Sequence, residues 1–191
     1  WYSKALALEL TLNSWFAVPI ASLWSPLPSL KSISPCVVNV VPRSVPAWAS
    51  TASGIDITNS EISLTPSSAS NKIFITTSMQ LSGDNDLSLK IMRKIGSGSY
   101  GDILLNSQRG SETLAHASNT IRSDFEMSPH NVQLLDTPNT TSQVYYKAVV
   151  KNGPEGGGGG FVNRPKNTGT TVNQETVVST ITIMEIASGI L

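Results

Sequence analysis

A chain of 191 residues has room for one domain of ordinary size plus an extra segment, and a core of that size holds without metal or disulfide staples. Thirteen Lys and Arg balance thirteen Asp and Glu, so the basic excess of a nucleic-acid binder is missing. Only 14% of residues are charged and Cys36 is the single cysteine, which excludes an intrachain disulfide framework and a multi-cysteine zinc site and leaves Cys36 as a small buried hydrophobe.

The composition changes near Gly54. Trp1, Trp15, Trp24 and Trp48 all precede it, as do Pro19, Pro26, Pro28, Pro35, Pro42 and Pro46, while the only charges there are Lys4, Glu9, Lys31 and Arg43. Prolines so spaced exclude long helices and central strands. Residues 4–16 are expected to form one short helix with Leu6, Leu10 and Asn13 along one side, and little regular structure is expected from 19 to 53. Glu9, Asn13 and Pro19 interrupt the most apolar stretch, 5–24, so neither a membrane span nor a clean signal peptide is expected. Three readings of 1–53 stay open: an anchor packed on a partner subunit, an irregular connector, or an artefact such as a shifted reading frame joined to a genuine domain.

From 54 to 191 the pattern is that of strands. Ile55 and Ile57 have odd parity and Ile62 and Leu64 even parity, which predicts a bulge or turn at Asn59-Ser60 within a weak strand at 55–64. Residues 73–81 alternate, with Ile73, Ile75, Thr77, Met79 and Leu81 on one face and Thr76, Ser78 and Gln80 on the other. Residues 87–95 repeat this with Leu87, Leu89, Ile91 and Ile95 inward and Ser88, Lys90 and Lys94 outward. Gly83-Asp84-Asn85-Asp86 between them is turn chemistry, so the two runs are expected to pair as a hairpin. Weaker strands are expected at 102–106, 112–117, 119–126 and 131–136. Residues 143–151 place Val144, Tyr146, Ala148 and Val150 on one face and Lys147 and Lys151 on the other. In 177–186, Val177, Ile181 and Ile183 share a face, and Met184 and Ile186 opposite them suggest burial on both sides. Short strands at this spacing predict an all-β fold, a two-sheet antiparallel β-sandwich of jelly-roll type.

Several motifs tempt a chemical reading. Ile95-Gly96-Ser97-Gly98-Ser99-Tyr100-Gly101 matches the glycine-rich phosphate loop of a protein kinase, but no strand lysine of the Val-Ala-Ile-Lys type and no His-Arg-Asp follow, and Ser123-Asp124-Phe125-Glu126 lacks the glycine of Asp-Phe-Gly. The segment reads as a Gly-Ser connection after a strand. Gly156 to Gly160 has no strand–helix context for nucleotide binding and reads as a loop. His116 and His130 lie on different elements without a nucleophile elbow, so exposed or structural roles are expected. Asp84, Asn85 and Asp86 lack the spacing of a calcium loop, and turn formation accounts for them. No catalytic, cofactor or metal residues are expected.

Three stretches carry a family resemblance: Ser63-Leu64-Thr65-Pro66-Ser67-Ser68-Ala69-Ser70-Asn71-Lys72-Ile73-Phe74-Ile75, Leu134-Leu135-Asp136-Thr137-Pro138-Asn139-Thr140-Thr141-Ser142-Gln143-Val144-Tyr145-Tyr146-Lys147, and Ser179-Thr180-Ile181-Thr182-Ile183-Met184-Glu185-Ile186-Ala187. In this order they resemble the C-terminal head domain of marine bacteriophage (cyanophage) tail-fibre and other virion structural proteins, over about 55–187. The resemblance implies a jelly-roll head, a homotrimer, contacts with other virion proteins, and adhesion to a host surface glycan or protein receptor rather than catalysis. It also implies a Thr- and Ser-rich first strand that the Trp/Pro segment does not show. In such a head specificity sits in loops, and Tyr100, Asn106 and Arg109 are the candidate ligand-binding residues. A carbohydrate-binding module of a secreted bacterial protein is the alternative on the same fold class.

Overall fold

Period-two alternation turns each long run into a strand with one oily face, and the oily faces need a common interior. In the computed structural model the described residues are 36–40, 43–44, 55–83, 85–103, 114–121, 123, 125–152, 160–166 and 177–188. They all belong to the second of the two units into which the chain divides, Trp1–Ser32 and Ile33–Leu191. The helix expected at 4–16 lies outside the described residues.

The regular elements among the described residues are strands: β1 (Cys36–Val40), β2 (Arg43–Ser44), β3 (Ile55–Asp56), β4 (Ile62–Leu64), β5 (Lys72–Gly83), β6 (Asn85–Ile95), β7 (Gly101–Asp102), β8 (Ala117–Ile121), β9 (Ser128–Asp136), β10 (Val144–Asn152), β11 (Gly160–Val162) and β12 (Ser179–Ile186). They form two sheets, and every pairing is antiparallel. Four strand positions are split in two. Leu81 pairs with Ser128 of β9 on one side and with Val162 of β11 on the other, so β11 and β12 lie end to end along the same edge of β5. Likewise β7 and β8 share one edge of β6, β3 and β4 share one edge of β10, and β1 and β2 run outside β12 and β11. With each split pair counted as one strand, the first sheet reads first–eighth–third–sixth and the second reads second–seventh–fourth–fifth. That is the strand order of an eight-stranded jelly roll, as the sequence pattern predicts.

The apolar faces meet between the sheets. Ile73, Ile75, Met79 and Leu81 of β5, Leu87, Leu89 and Ile91 of β6, Val144, Tyr146, Ala148 and Val150 of β10, and Ile181 and Ile183 of β12 are buried in one cluster. Each fully buried Ile or Leu contributes about 1.5–3 kcal/mol. Most outward positions are polar or half-buried, as at Lys147 and Lys151, although Val149 between them is buried.

The structure corrects several expectations. The runs 73–81 and 87–95 do not pair as a hairpin. β5 lies in the first sheet between β9 and β12, and β6 lies in the second between β10 and β8, so the chain has passed from one sheet to the other between Gly83 and Asn85. Alternation told inside from outside on each strand but carried no information about partners. The expectation of little regular structure from 19 to 53 fails at Cys36–Val40 and Arg43–Ser44, which pair with β12 and β11 and fill the first jelly-roll position. Cys36 therefore lies in a strand; its side chain is outside the described set. Ile95, Met184 and Ile186 are half-buried rather than enclosed, so β12 is not fully covered on its outer face. The strands expected at 102–106, 119–126 and 131–136 appear as β7, β8 and β9 with shifted ends; of the strand expected at 112–117, residues 114–116 are not strand, and 104–113 lie outside the described residues.

Where a strand breaks, a side chain takes over backbone hydrogen bonding. Between β3 and β4 the chain bulges through Asn59, whose φ of 62° is in the left-handed region. Ser60, fully buried, spans the gap: its Oγ accepts from the Ala148 N–H at 3.0 Å and donates to the Ala148 carbonyl at 3.2 Å, and the Ile57 N–H donates to that carbonyl at 3.0 Å. The bulge predicted at Asn59-Ser60 is thus present. Between β7 and β8, His116 Nδ1 accepts from the Ile91 N–H at 2.9 Å. Between β11 and β12, Ser179 Oγ accepts from the Gln80 N–H at 2.9 Å. Ser60→Ala strands the buried Ala148 N–H and is expected to lower unfolding stability by about 1–3 kcal/mol. Ser60→Gly should be at least as costly, and urea melts of the two variants check this.

Candidate ligand-binding surface

The register places the ends of β4, β6, β9 and β12 and the starts of β5 and β10 at one end of the sandwich, joined by the loops 65–71, 96–100 and 137–143. All three stretches that carry the family resemblance converge there: Ile73 pairs with Asp136, Ile75 with Ile183, and Val144 with Leu64. The loop 65–71 is tied down by Glu185, whose Oε1 accepts from the Ser67 N–H at 2.6 Å, the Ser67 hydroxyl at 2.8 Å and Asn71 Nδ2 at 2.5 Å. Burial works against ionising Glu185, but the hydrogen bonds from Asn71 and Ser67 outweigh it and hold the carboxyl below its ordinary range.

Tyr100 follows the turn after β6. In that turn Gly96 has φ of 53°, and the N–H groups of Gly96 and Gly98 donate to the carbonyls of Gln143 and Ile95 at 2.8 and 3.0 Å. Amides committed this way are not free to cradle a phosphate, which fits a connection rather than a nucleotide loop. The Tyr100 ring lies against the outer face of the second sheet. Lys147 Nζ is 4.1 Å and Lys94 Nζ 4.9 Å from its centroid, and its hydroxyl donates to Glu61. Lys94 also sits 4.2 Å from the Tyr145 ring, its cross-strand partner. Tyr145 donates to Gln143 Oε1 at 2.8 Å, and Gln143 Nε2 donates to Ser63 Oγ at 3.1 Å. Lys147 pairs with Asp56 at 2.7 Å and Lys94 with Glu61 at 3.9 Å. Contacts of these kinds are each worth about 1 kcal/mol or less at a surface, but together they fix two aromatic rings and two ammonium groups in one half-exposed patch. Burial, the bond to Glu61 and the nearby carboxylates all push the Tyr100 phenol upward, so it stays protonated and a donor.

Of the residues expected to bind ligand, Tyr100 is in this patch, and Asn106 and Arg109 lie outside the described residues. Lys94, Lys147, Tyr145, Glu61 and Gln143 were not anticipated. The outward parity of Lys94 and Lys147 was readable, but their proximity depends on β6 pairing with β10.

The two histidines sit in the fold. His130 is buried, with Nδ1 and Nε2 each 3.1 Å from a carbonyl, those of Ser128 and Leu87. His116 accepts through Nδ1 and lies with Nε2 2.9 Å from the Ile103 carbonyl, so it is the neutral Nε2–H tautomer. Burial depresses its pKa, and the Ile103 carbonyl and Asp102 only partly oppose this. Above the ordinary histidine value of about 6.5 both folded and unfolded states are neutral there and the contribution to stability is complete. As pH falls through that value the unfolded state binds the proton first, and stability is lost until the depressed folded pKa is reached. The wild-type protein should therefore lose stability as pH falls below about 6.5, with a slope that His116→Ala removes, while the variant is less stable at pH 7; denaturant midpoints measured on both sides of that value provide the check. No cluster of His, Cys, Asp and Glu able to hold a metal ion occurs among the described residues.

No family profile matches the sequence, and no curated protein matches it. Among solved structures, the chain is similar to that of the infectious bursal disease virus Gt strain (TM-score 0.43, 11% identity, 80% of this chain and 42% of that chain). It is similar in the same way to the structure of the Gx strain (TM-score 0.37, 11% identity, 80% and 41%) and to the VP2 subviral particle of infectious bursal disease virus (TM-score 0.30, 11% identity, 79% and 40%). The chain thus spans less than half the length of the chains it matches. A likeness of this extent is no basis for function or ancestry, and the jelly roll rests on its own strand order.

Proposed function

We propose that this protein is a non-catalytic structural module of a virion, a tail-fibre or appendage tip of a bacteriophage that works outside the cell as a homotrimer and attaches to a host surface glycan or protein. The observation that carries the reading is the patch of Tyr100, Tyr145, Lys94 and Lys147, prearranged by Glu61, Gln143 and Asp56 on the outer face of one sheet. Rigid aromatic rings ringed by hydrogen-bonding groups lose little entropy on binding. The resemblance of the three converging stretches to marine phage head domains supports the virion context.

The test is adherence of the labelled full-length chain to a panel of marine bacterial isolates, together with its mass in solution. A trimer that adheres to some isolates, and loses most adherence in Tyr100→Ala, is the expected result. A monomer that binds soluble glycans would favour the carbohydrate-binding module of a secreted bacterial protein. A chain that adheres to no isolate would end the attachment reading.

A further inference from the structure

The two outer faces of the sandwich differ in charge. On the second sheet Lys90, Lys94 and Lys147 point outward among acid partners at the edges. On the first sheet the strands β12, β5 and β9 carry three carboxylate or ammonium groups, and two of them, Asp136 and Glu185, share the inward parity of Ile73, their common cross-strand neighbour. Lys72, the first residue of β5, is the only outward charge on these strands. Across the rest of the face the register lines up Met184, Phe74 and Leu135 in one row, followed by rows of Thr, Ser, Asn and Gln that end on β9 at Gln133 and Asn131. Phe74 and Met184 are half-buried, and Leu135 is 37% exposed. Among the described residues β9 pairs with β5 alone, so it is an edge strand. Beyond Pro129, its outward side chains are Asn131, Gln133 and Leu135, none of them a charge of the kind that keeps an edge apart from other chains. Depletion of charge marks the core of a subunit interface rather than a solvated surface. An uncharged face meets no like-charge repulsion from its own copy, and identical chains are the commonest partners in soluble oligomers. Four strand positions about 4.8 Å apart and about 30 Å long cover on the order of 600 Å², comparable to the roughly 800 Å² per partner of a stable interface.

We infer that the outer face of the first sheet packs against further copies of this chain, with the faces of three subunits turned to a common axis and the charged second sheet, bearing Tyr100 and Tyr145, left on the outside. This rests on the homotrimer reading, to which it adds the contact surface.

Sedimentation velocity over a dilution series gives the mass of the full-length chain and of its variants. The double replacement Gln133→Glu, Leu135→Glu places carboxylates of every copy at the contact, and both positions are exposed and outward on an edge strand, so the fold tolerates them. It should raise the concentration at which trimers fall apart by about a hundredfold or more. High salt, which screens the carboxylates, should restore part of the loss, an effect that simple misfolding would not show. Thr58→Glu puts the same charge in the exposed turn between β3 and β4 and should leave the mass unchanged. Should the double variant unfold, Gln133→Glu alone is read in the same way, with a change of about tenfold. Trimers that withstand the glutamates overturn the inference and leave the homotrimer standing on another contact. A parent chain that is monomeric at every concentration overturns the homotrimer and this contact together, and adherence of that monomer to cells would keep attachment alone. A dimer split by the glutamates would keep this face as the contact and overturn the three-fold arrangement.

Discussion

Arg93→Met is expected to cost about 3 kcal/mol of unfolding stability, near the lower end of the range for breaking a buried ion pair. Arg93 projects inward from β6 and Asp136 inward from β9, so their pair spans the two sheets at the loop-bearing end of the sandwich. The Asp136 side chain is 4% exposed and that of Arg93 26%, which is why the lower end applies. Tyr146, fully buried on β10, donates to Asp136 Oδ2 at 2.8 Å, so the carboxylate takes donors from two strands of the opposite sheet. Burial and then the Asp136 charge push the Tyr146 phenol upward, keeping it a donor. Removing the guanidinium leaves a desolvated carboxylate with one neutral donor, and single domains have only about 5–15 kcal/mol in hand. The triple replacement Arg93→Met, Asp136→Leu, Tyr146→Phe removes every member of the network and should return to within about 1 kcal/mol of the parent, since an apolar contact of similar volume often matches a buried pair. Urea unfolding of the single and triple variants measures both. A single variant as stable as the parent would mean that the pair does not join the sheets.

That network shows what the sequence made legible. The inward parity of Leu87, Leu89 and Ile91 on β6 and of Val144, Tyr146, Ala148 and Val150 on β10 follows from period two and needs no partner, and the buried residues agree with it. The charged Arg93 at an inward position broke that pattern, and such a break marks either an error or a paired charge; its partner, Asp136, lies on a strand far along the chain. Partners are set by long-range packing, which local alternation does not encode. Turn chemistry such as Gly83-Asp84-Asn85-Asp86 is as compatible with a passage between sheets as with a hairpin. The aromatic patch was out of reach for the same reason, because Tyr145 meets Lys94 only through the β6–β10 register. Tyr100 was legible as an aromatic residue in a Gly-Ser turn.

The first strand is where composition misled most, and it gives the second large effect. Cys36-Val37-Val38-Asn39-Val40 is rich in β-branched residues that favour strands, but Pro35 and Pro42 flank it and argue against a central strand. An edge strand has no such objection, since only one side of its backbone must pair, and β1 pairs with β12 alone among the described residues. Val38 lies opposite Ile181 and Asn39 opposite Thr180. In an antiparallel ladder successive residues of a strand turn their N–H groups to opposite sides, so the double replacement Val38→Pro, Asn39→Pro removes whichever of the two faces β12. Proline removes the ladder bond, leaving a β12 carbonyl unpaired at a cost of about 1–3 kcal/mol, and the bared edge of β12 becomes a template for pairing with other chains. The variant should show a lowered urea midpoint and concentration-dependent aggregation on size-exclusion chromatography, while a single proline at the exposed loop position Thr141, outside any strand, should change both far less. Wild-type stability in the Val38/Asn39 variant would mean that the sandwich stands without its first strand, and the eight-position jelly roll would be reduced to seven.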